Sequence, residues 1–239
     1  MSDIVVLCPT RERPGKAAEM MDSFRQTAVL IASEMILVID DDDPCLAEYQ
    51  ALPKRFNDRT AGVLKPANEL RIMVIPKAEG GSLARATNTA AIRVWDEDCI
   101  IGHVGDDHRF ETVGWDRRIV ETLTQPGVAY GDDGFWGEQL PTAAFLSSVI
   151  PRTLGWYALP TSLHYGIDDA WGDIGRQIGR LWYLPDVRIT QPGPYQTQLA
   201  GDDVYWRAQE HRGADSEAYF VWRDQGGMAA DMERLRAAL

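Results

Sequence analysis

The chain is poor in the features that would move it out of the class of ordinary soluble enzymes. No apolar run approaches the ~20 residues of a membrane span. The opening Met1-Ser2-Asp3 lacks the basic head and long apolar core of a secretion signal, so a cytoplasmic protein is expected. Cysteine is scarce: there are three, an odd number, and Cys8 and Cys99 lie inside apolar runs where the thiol acts as a small buried hydrophobe. That argues against a disulfide framework or a cysteine zinc site. Histidine is limited to His103, His108, His164 and His211, of which only His108 and His164 lie near the candidate site segments. Positive charge is also short, with 24 Lys and Arg against 36 Asp and Glu, a net charge of -12. Such a surface repels polyanions at long range and disfavours bulk nucleic acid as a partner unless a local basic patch compensates. No internal repeat and no low-complexity segment is present.

What the chain does have is 45% hydrophobic residues over 239 positions, enough for one large domain with a proper core. Three apolar runs end in charge: Ile4 to Cys8 before Pro9-Thr10-Arg11-Glu12-Arg13-Pro14, Ile36 to Ile39 before Asp40 to Asp43, and Cys99 to Ile101 before Gly105-Asp106-Asp107-His108. In open α/β sheets ligands bind beyond the carboxyl ends of strands, so these ends are expected to converge on a nucleotide and metal site.

Between them the periodicity switches. Ala17, Met20, Met21, Phe24 and Ala28 recur at helical spacing over Lys16 to Ile31. Residues 44–69 read as a short helix and a loop, and Leu70 to Ile75, stopped by Pro76, as a strand. Gly80-Gly81-Ser82 opens a helix over Leu83 to Trp95 with Ser82 as N-cap, and the strand Cys99 to Val104 follows. Strands alternating with helices predict a largely parallel, Rossmann-like sheet flanked by helices. The second half is less regular: a helix over Trp115 to Thr124, a strand over Val128 to Tyr130, a Trp-, Gly- and Pro-rich stretch at 131–167, a helix over Asp169 to Ile178 and a strand over Leu181 to Ile189. Helices at 203–211 and 215–237, the last interrupted by Gly226-Gly227, close the chain. The expected organisation is a single domain with a nucleotide half at 1–110, an acceptor half at 111–200 and a helical appendage at 201–239.

Adjacent carboxylates at a strand end repel unless cations, protons or hydrogen bonds compensate, which makes Asp106-Asp107 a candidate for Mg²⁺ or Mn²⁺; a solvated Asp-Asp turn is the plainer alternative. Thr10, Arg11 and Arg13 could hold a nucleobase or phosphates. Asp40 could accept from a base or ribose, although the run before Pro44 is also a charged turn, and an EF-hand is disfavoured because glycine is absent at its sixth position. Arg85 and Asn88, one turn apart after Gly80-Gly81-Ser82, can face phosphates at that helix's N-terminus.

With these residues in place, the chain resembles the family 2-like nucleotide-sugar glycosyltransferases of GT-A fold over most of residues 4–192. The resemblance implies that Pro9, Thr10, Arg11, Arg13 and Asp40 or Asp41 hold the nucleoside. The helix start Gly81-Ser82-Leu83-Ala84-Arg85-Ala86-Thr87-Asn88 is similar to the family's Gly-x-x-x-Ala-Arg-Asn-like motif. The metal-binding Asp-x-Asp aligns with Gly105-Asp106-Asp107, so the first Asp is missing and Asp107, with Asp106 beside it, is implied to hold Mn²⁺ or Mg²⁺. Gly166-Ile-Asp-Asp-Ala-Trp-Gly-Asp173 stands where the family carries its Glu-Asp motif, which implies Asp169, with Asp168 next to it, as the base that takes the acceptor proton; either could instead N-cap the helix. Where relatives carry a metal-binding His, this chain has Gln191, a weaker ligand.

The segment from Gly105 to Asp116 resembles a subgroup associated with bacteriophage and bacterial genomes, which would put the protein in a host cytoplasm. The implied reaction is metal-dependent transfer of a hexose-type sugar from a nucleoside diphosphate sugar to a hydroxyl, with inversion. The acceptor is a protein, modified DNA, a glycan or a small molecule. Phe135, Trp136, Trp156, Tyr157 and Tyr165 could line its pocket or pack the core. Two other readings stand beside this one: a nucleotidyltransferase, for which Arg11-Glu12-Arg13-Pro14-Gly15 is a poor phosphate loop, and a non-catalytic nucleotide-sugar-binding module. Asp202-Asp203 reads as a helix cap, and Met228, Met232, Leu235 and Leu239 as a core or dimer face.

Overall fold

The computed structural model describes residues 4–30, 32–58, 68–96, 98–192 and 202–239. The loop expected before the third strand falls on 59–67, the opening Met1-Ser2-Asp3 on 1–3, and the start of the appendage on 201, all outside these ranges.

The elements are β1 (Ile4–Pro9), α1 (Pro14–Thr27), β2 (Ser33–Asp40), α2 (Leu46–Asp58), β3 (Asn68–Ile75), α3 (Leu83–Ile92), β4 (Ile100–His103), β5 (Arg109–Phe110), α4 (Trp115–Thr122), β6 (Val128–Asp132), β7 (Phe145–Ser147), α5 (Val149–Leu154), α6 (Ile167–Gln177), β8 (Leu181–Thr190), α7 (Asp203–Gln209), α8 (Arg212–Asp224) and α9 (Gly227–Ala238). The strands form one sheet in the order β3-β2-β1-β4-β7-β6-β8-β5. β3, β2, β1 and β4 run parallel, and β6 pairs with β8 in parallel. β7 runs antiparallel between β4 and β6, and β5 antiparallel on the far edge of β8. The expected mostly parallel α/β architecture is therefore present, with its irregularity confined to β5 and β7.

Alternation along β1 divides the core. Ile4, Val6 and Cys8 face one layer, with Met20, Phe24, Tyr49 and Trp115, while Val5 and Leu7 face the other, with Ala84, Ala90, Trp171 and Leu235. Because both of its faces are covered, β1 is apolar from Ile4 to Cys8 and β2 from Met35 to Ile39, with no alternation of polar residues. This is why β1 and β2 stand out as uninterrupted runs. The C-terminal helices belong to this core: α9 contacts α5 and α6, and Met232 and Leu235 are buried. The face read as core or dimer surface is thus a core face.

Several boundaries differ from expectation. α1 stops at Thr27 because Ala28 turns extended, and the backbone N–H groups of Val29 and Leu30 donate to the Asp116 carboxylate, which Ser33 Oγ also reaches at 2.9 Å. Asp116 is fully buried, and this turn fixes α4 against the entry to β2. The 131–167 stretch contains β7 and α5, three and six residues long, too short to imprint a period. The C-terminal region forms three helices, because Gly226 adopts a left-handed φ of 98° between α8 and α9. Among the described residues no helix is long and apolar enough to cross a membrane.

Candidate active site

The carboxyl ends of β1, β2 and β4 meet at the loop that follows β1. Thr10 donates from Oγ1 to Asp106 Oδ2 at 2.7 Å, and Arg13 donates from Nη1 to Asp106 Oδ1 at 3.3 Å. Both oxygens of Asp106 are therefore engaged within the protein. Tyr49 of α2, fully buried, shares a hydrogen bond with the Thr10 hydroxyl at 2.9 Å and accepts from the Arg13 backbone N–H at 2.8 Å. Asp43 accepts from the backbone N–H groups of Glu12 and Cys45 at 3.0 and 2.7 Å. So held, Glu12 takes a left-handed φ of 58°, the only non-glycine to do so among the described residues. Backbone strain of this kind persists where surrounding contacts over-determine the loop, and such loops concentrate at ligand sites.

The Asp run after β2 divides its work. Asp40 accepts from Gly81 N–H at 3.2 Å and lies 3.4 Å from both Arg11 Nη1 and Lys77 Nζ. A Cβ on Gly80 would collide with the Asp40 carboxylate and come within 2.9 Å of Ile75 Cδ1, so the first glycine of the pair lets β2 and α3 approach closely. Gly81, with φ of +78°, supplies the left-handed turn before the Ser82 cap. Asp41 accepts from the Lys77 backbone at 2.9 Å. Asp42 pairs with Arg11 at 2.6 Å, and that contact lowers its pKa.

Asp107 differs from Asp106. It lies beside Gly105, where a Cβ would sit 2.6 Å from Asp107 Oδ1 and 3.3 Å from His108 Nδ1. The position aligned with the family's first Asp thus has no room for a side chain unless Asp107 moves. Burial opposes ionisation of Asp107, yet its carboxyl is held below the usual carboxylate range, with the Arg13 guanidinium among the groups that lower it. His108 Nδ1 accepts from Gly105 N–H at 2.9 Å. Asp106 moves the other way, raised chiefly by burial. Gln191, at the end of β8, reaches Asp107 with its amide at 3.5 Å.

Among the described residues no group of three or more His, Cys, Asp or Glu could hold a metal by itself. With Asp106 engaged by Thr10 and Arg13, the donor set consists of Asp107 with Gln191 beside it. That set fits a hard cation completing its shell with phosphate oxygens and water, since Mg²⁺ commonly binds through one or two carboxylates in this way. A cage made of protein ligands alone does not fit.

Two features were not foreseen in the sequence. Asp202 caps α7, as expected, by accepting from Tyr205 N–H at 2.9 Å, and it also forms ion pairs with Arg13 and, at 2.7 Å, with Lys16. Arg207 of α7 pairs with Glu12 at 2.9 Å. The second feature is a set of neutral imidazoles behind Asp107. Burial and the nearby His108 and His164 lower His103 to about 3, and burial likewise lowers His164 to about 4. No local spacing signals either arrangement.

The remaining candidates separate into two groups. Arg85 is exposed on the first turn of α3 and makes no ion pair among the described residues. Asn88, expected beside it at the phosphates, is used structurally: Oδ1 accepts from Tyr157 and Ala158 N–H at 2.7 and 2.9 Å, and Nδ2 donates to Ala158 O at 2.8 Å. Asp168 and Asp169 occupy the first turn of α6, whose N-cap is Gly166 at φ 89°, so neither carboxylate is the cap. Asp168 is half-buried and raised well above the usual carboxylate range by burial, Asp169 and Asp133. Asp169 is exposed and raised by burial and then Asp173. The turn leading to them is fixed by Asp215, which accepts three backbone N–H groups, those of Leu163, His164 and Tyr165, each at 2.8 Å. Leu163 O in turn accepts from Ala84 N–H at 2.9 Å, which ties this turn to the start of α3.

No family model matches the sequence, and no curated protein matches it. Solved structures do match. A mannosyltransferase from Pyrobaculum calidifontis, in complex with GDP-Man and Mn²⁺, superposes with a TM-score of 0.63 at 13% identity, over 99% of this chain and 73% of that one. Staphylococcus aureus TarS gives 0.59 at 13% identity over 82% of this chain. This chain spans only 38% of that TarS chain, and 62% of the shorter TarS 1–349 chain solved with UDP. A Bacillus anthracis protein assigned as a glucose-1-phosphate thymidylyltransferase gives 0.54 at 11% identity, over 94% of this chain and 96% of that one. The fold is that of the GT-A nucleotide-diphospho-sugar transferases.

Proposed function

We propose that the protein transfers a sugar from a nucleoside diphosphate sugar to a hydroxyl acceptor. The observation that carries this reading is the convergence of the loop after β1, the Asp40–Gly81 contact and the half-buried carboxylate of Asp107 at the carboxyl edge of the parallel strands. A nucleoside would lie along Pro9, Thr10, Arg11 and Asp40, with Asp41 at the rim. Arg13 and Arg85 would meet the diphosphate, where a guanidinium fork matches phosphate geometry. Asp107, with Gln191 beside it, would hold Mn²⁺ or Mg²⁺, which supplies charge neutralisation at the departing diphosphate. Asp106 is engaged in the protein and positions Thr10 and Arg13.

On the other side, Asp169 would take the proton of the acceptor hydroxyl as its oxygen attacks the anomeric carbon, giving inversion. Both carboxyls are raised, as suits a base that must return its proton.

The likeness to the thymidylyltransferase motivates the second reading, nucleotidyl transfer, and product analysis separates the two. Incubation with nucleoside diphosphate sugars and Mn²⁺ is expected to release a nucleoside diphosphate. Release of inorganic pyrophosphate from a nucleoside triphosphate and a sugar phosphate would select the nucleotidyltransferase instead. Binding of nucleotide that is indifferent to metal, with no turnover, would select a non-catalytic module.

A further inference from the structure

The acceptor half contains a buried acid that no proton-transfer role uses. Asp133 is 3% exposed, yet among the described residues no cation pairs with it. Its Oδ1 accepts from the backbone N–H groups of Phe135, Trp136 and Gly137 at 2.9, 2.7 and 3.0 Å, while its buried Oδ2 has no partner. Burying a carboxylate with one oxygen unsatisfied is costly, and such a group in a folded protein calls for an explanation. The three N–H groups that Asp133 collects fold residues 133–137 into a tight loop. Gly134 and Gly137 take left-handed φ values of 78° and 54° within it, and the Tyr130 hydroxyl anchors its far end by donating to Glu138 O at 2.8 Å.

This loop presents two aromatic rings to solvent. Phe135 and Trp136 are 54% and 44% exposed, and their planes stand at 88° with centroids 5.1 Å apart. The other aromatics considered for an acceptor pocket go elsewhere: Trp156 and Tyr157 are buried in the core, and Tyr165 accepts from Gln209 at 2.8 Å. A single exposed aromatic is ordinary, whereas two perpendicular rings on a loop pinned by a buried acid form a built surface. The loop lies on the side of the proposed base, since Asp133 is near enough to Asp168 to raise it. Gly172 of α6 packs against Pro141, with an added Cβ lying 3.4 Å from its Cδ, and α6 carries Asp168 and Asp169 on its first turn.

The charge around the rings is negative. Two accessible acids, Asp132 and Glu138, share the loop with one cation, Arg188, which is divided between Asp132 at 3.9 Å and Glu111 at 2.9 Å. Aromatic faces pack on the C–H faces of pyranose rings, and surrounding carboxylates accept from their hydroxyls. A polyanion would instead be repelled.

We infer that the Phe135–Trp136 corner is the acceptor platform and that the acceptor is a neutral carbohydrate chain. This rests on the sugar-transfer reading of the site. The test applies the full chain to an array of neutral, sulfated and phosphorylated glycans with single-stranded oligodeoxynucleotides beside them, comparing wild type, Trp136→Ala, Trp136→Phe and Phe135→Ala. Thermal stabilisation by nucleoside diphosphates with Mn²⁺ is recorded for each protein in parallel. Neutral glycans should bind the wild type, weaken about ten-fold in Trp136→Ala, which corresponds to one lost stacking contact, and recover in Trp136→Phe. Nucleotide stabilisation should be the same in all four. Preference for anionic glycans or oligonucleotide, absence of any neutral binder, or undiminished binding by Trp136→Ala overturns the platform while leaving the donor side intact. Failure of the wild type to be stabilised by any nucleotide overturns the sugar-transfer reading and the platform with it.

Discussion

The proposed donor and acceptor sides use the same residue, aspartate, in different electrical settings. On the donor side Asp40, Asp42, Asp106 and Asp202 each face Arg11, Arg13, Lys16 or Lys77. On the proposed acceptor side burial and neighbouring acids raise Asp168 and Asp169, with Asp169 and Asp133 acting on the first and Asp173 on the second. A cation beside a carboxylate favours its ionised form, as Arg11 does for Asp42 and Arg13 and Lys16 do for Asp202, whereas burial and neighbouring acids raise it, and at Asp106 burial outweighs Arg13.

Removing one member from each side should break this comparison unequally. Asp169→Asn should lower transfer by about 10²–10⁴-fold while leaving donor binding intact, as expected for loss of a general base; kcat against donor affinity is the readout. In the wild type, activity should be present above the raised pKa of Asp169 and fall as pH drops through it. Asp173 raises that limb, and Arg176 and Arg223 lower it, so Asp173→Asn should move it to lower pH. Asp107→Asn should lower transfer by about 10²–10³-fold, comparable to losing one electrostatic contact to developing charge, and should also abolish the metal dependence of donor binding, which Asp169→Asn leaves alone.

Smaller effects sharpen the donor side. Gly80→Ala drives a methyl into Asp40 and Ile75 and should cost about 1–3 kcal/mol of stability in denaturant titrations, the usual range for overpacking, with weaker donor binding. Asp202 is lowered below the usual carboxylate range, with burial opposed by Arg13 and Lys16. A depressed carboxylate contributes stability above its unfolded value of ~3.9 and loses it as pH falls through the lower folded value. Asp202→Asn should therefore flatten the acid limb of the stability curve, by under about 1 kcal/mol because the side chain is 38% exposed.

The same contrast explains what could be read in advance. β1, β2 and β4 are buried on both faces, so their apolar runs and the acids ending them are legible in order, and the Ser82 cap is legible because its partner is three residues away. β5 and β7, of two and three residues, leave no period to detect. Asn88 sits where a phosphate ligand is expected, but its amide serves a loop seventy residues downstream. Asp116, Asp133 and Asp215 look like ordinary turn acids in the sequence; their work is to collect backbone N–H groups, two of the three from segments far along the chain. Asp202 reaches Arg13 across 189 positions. Local chemistry was visible, and pairings set by the tertiary fold were not.

The most direct measurement is thermal stabilisation by a panel of nucleoside diphosphates and diphosphate sugars, with and without Mn²⁺ or Mg²⁺, in wild type and Asp107→Asn. One nucleotide should stabilise the wild type in a metal-dependent way, by about 2.7 kcal/mol at a hundred times its Kd, and the metal dependence should vanish in Asp107→Asn. No stabilisation by any nucleotide, or equal metal-dependent stabilisation in both proteins, would contradict the donor site described above.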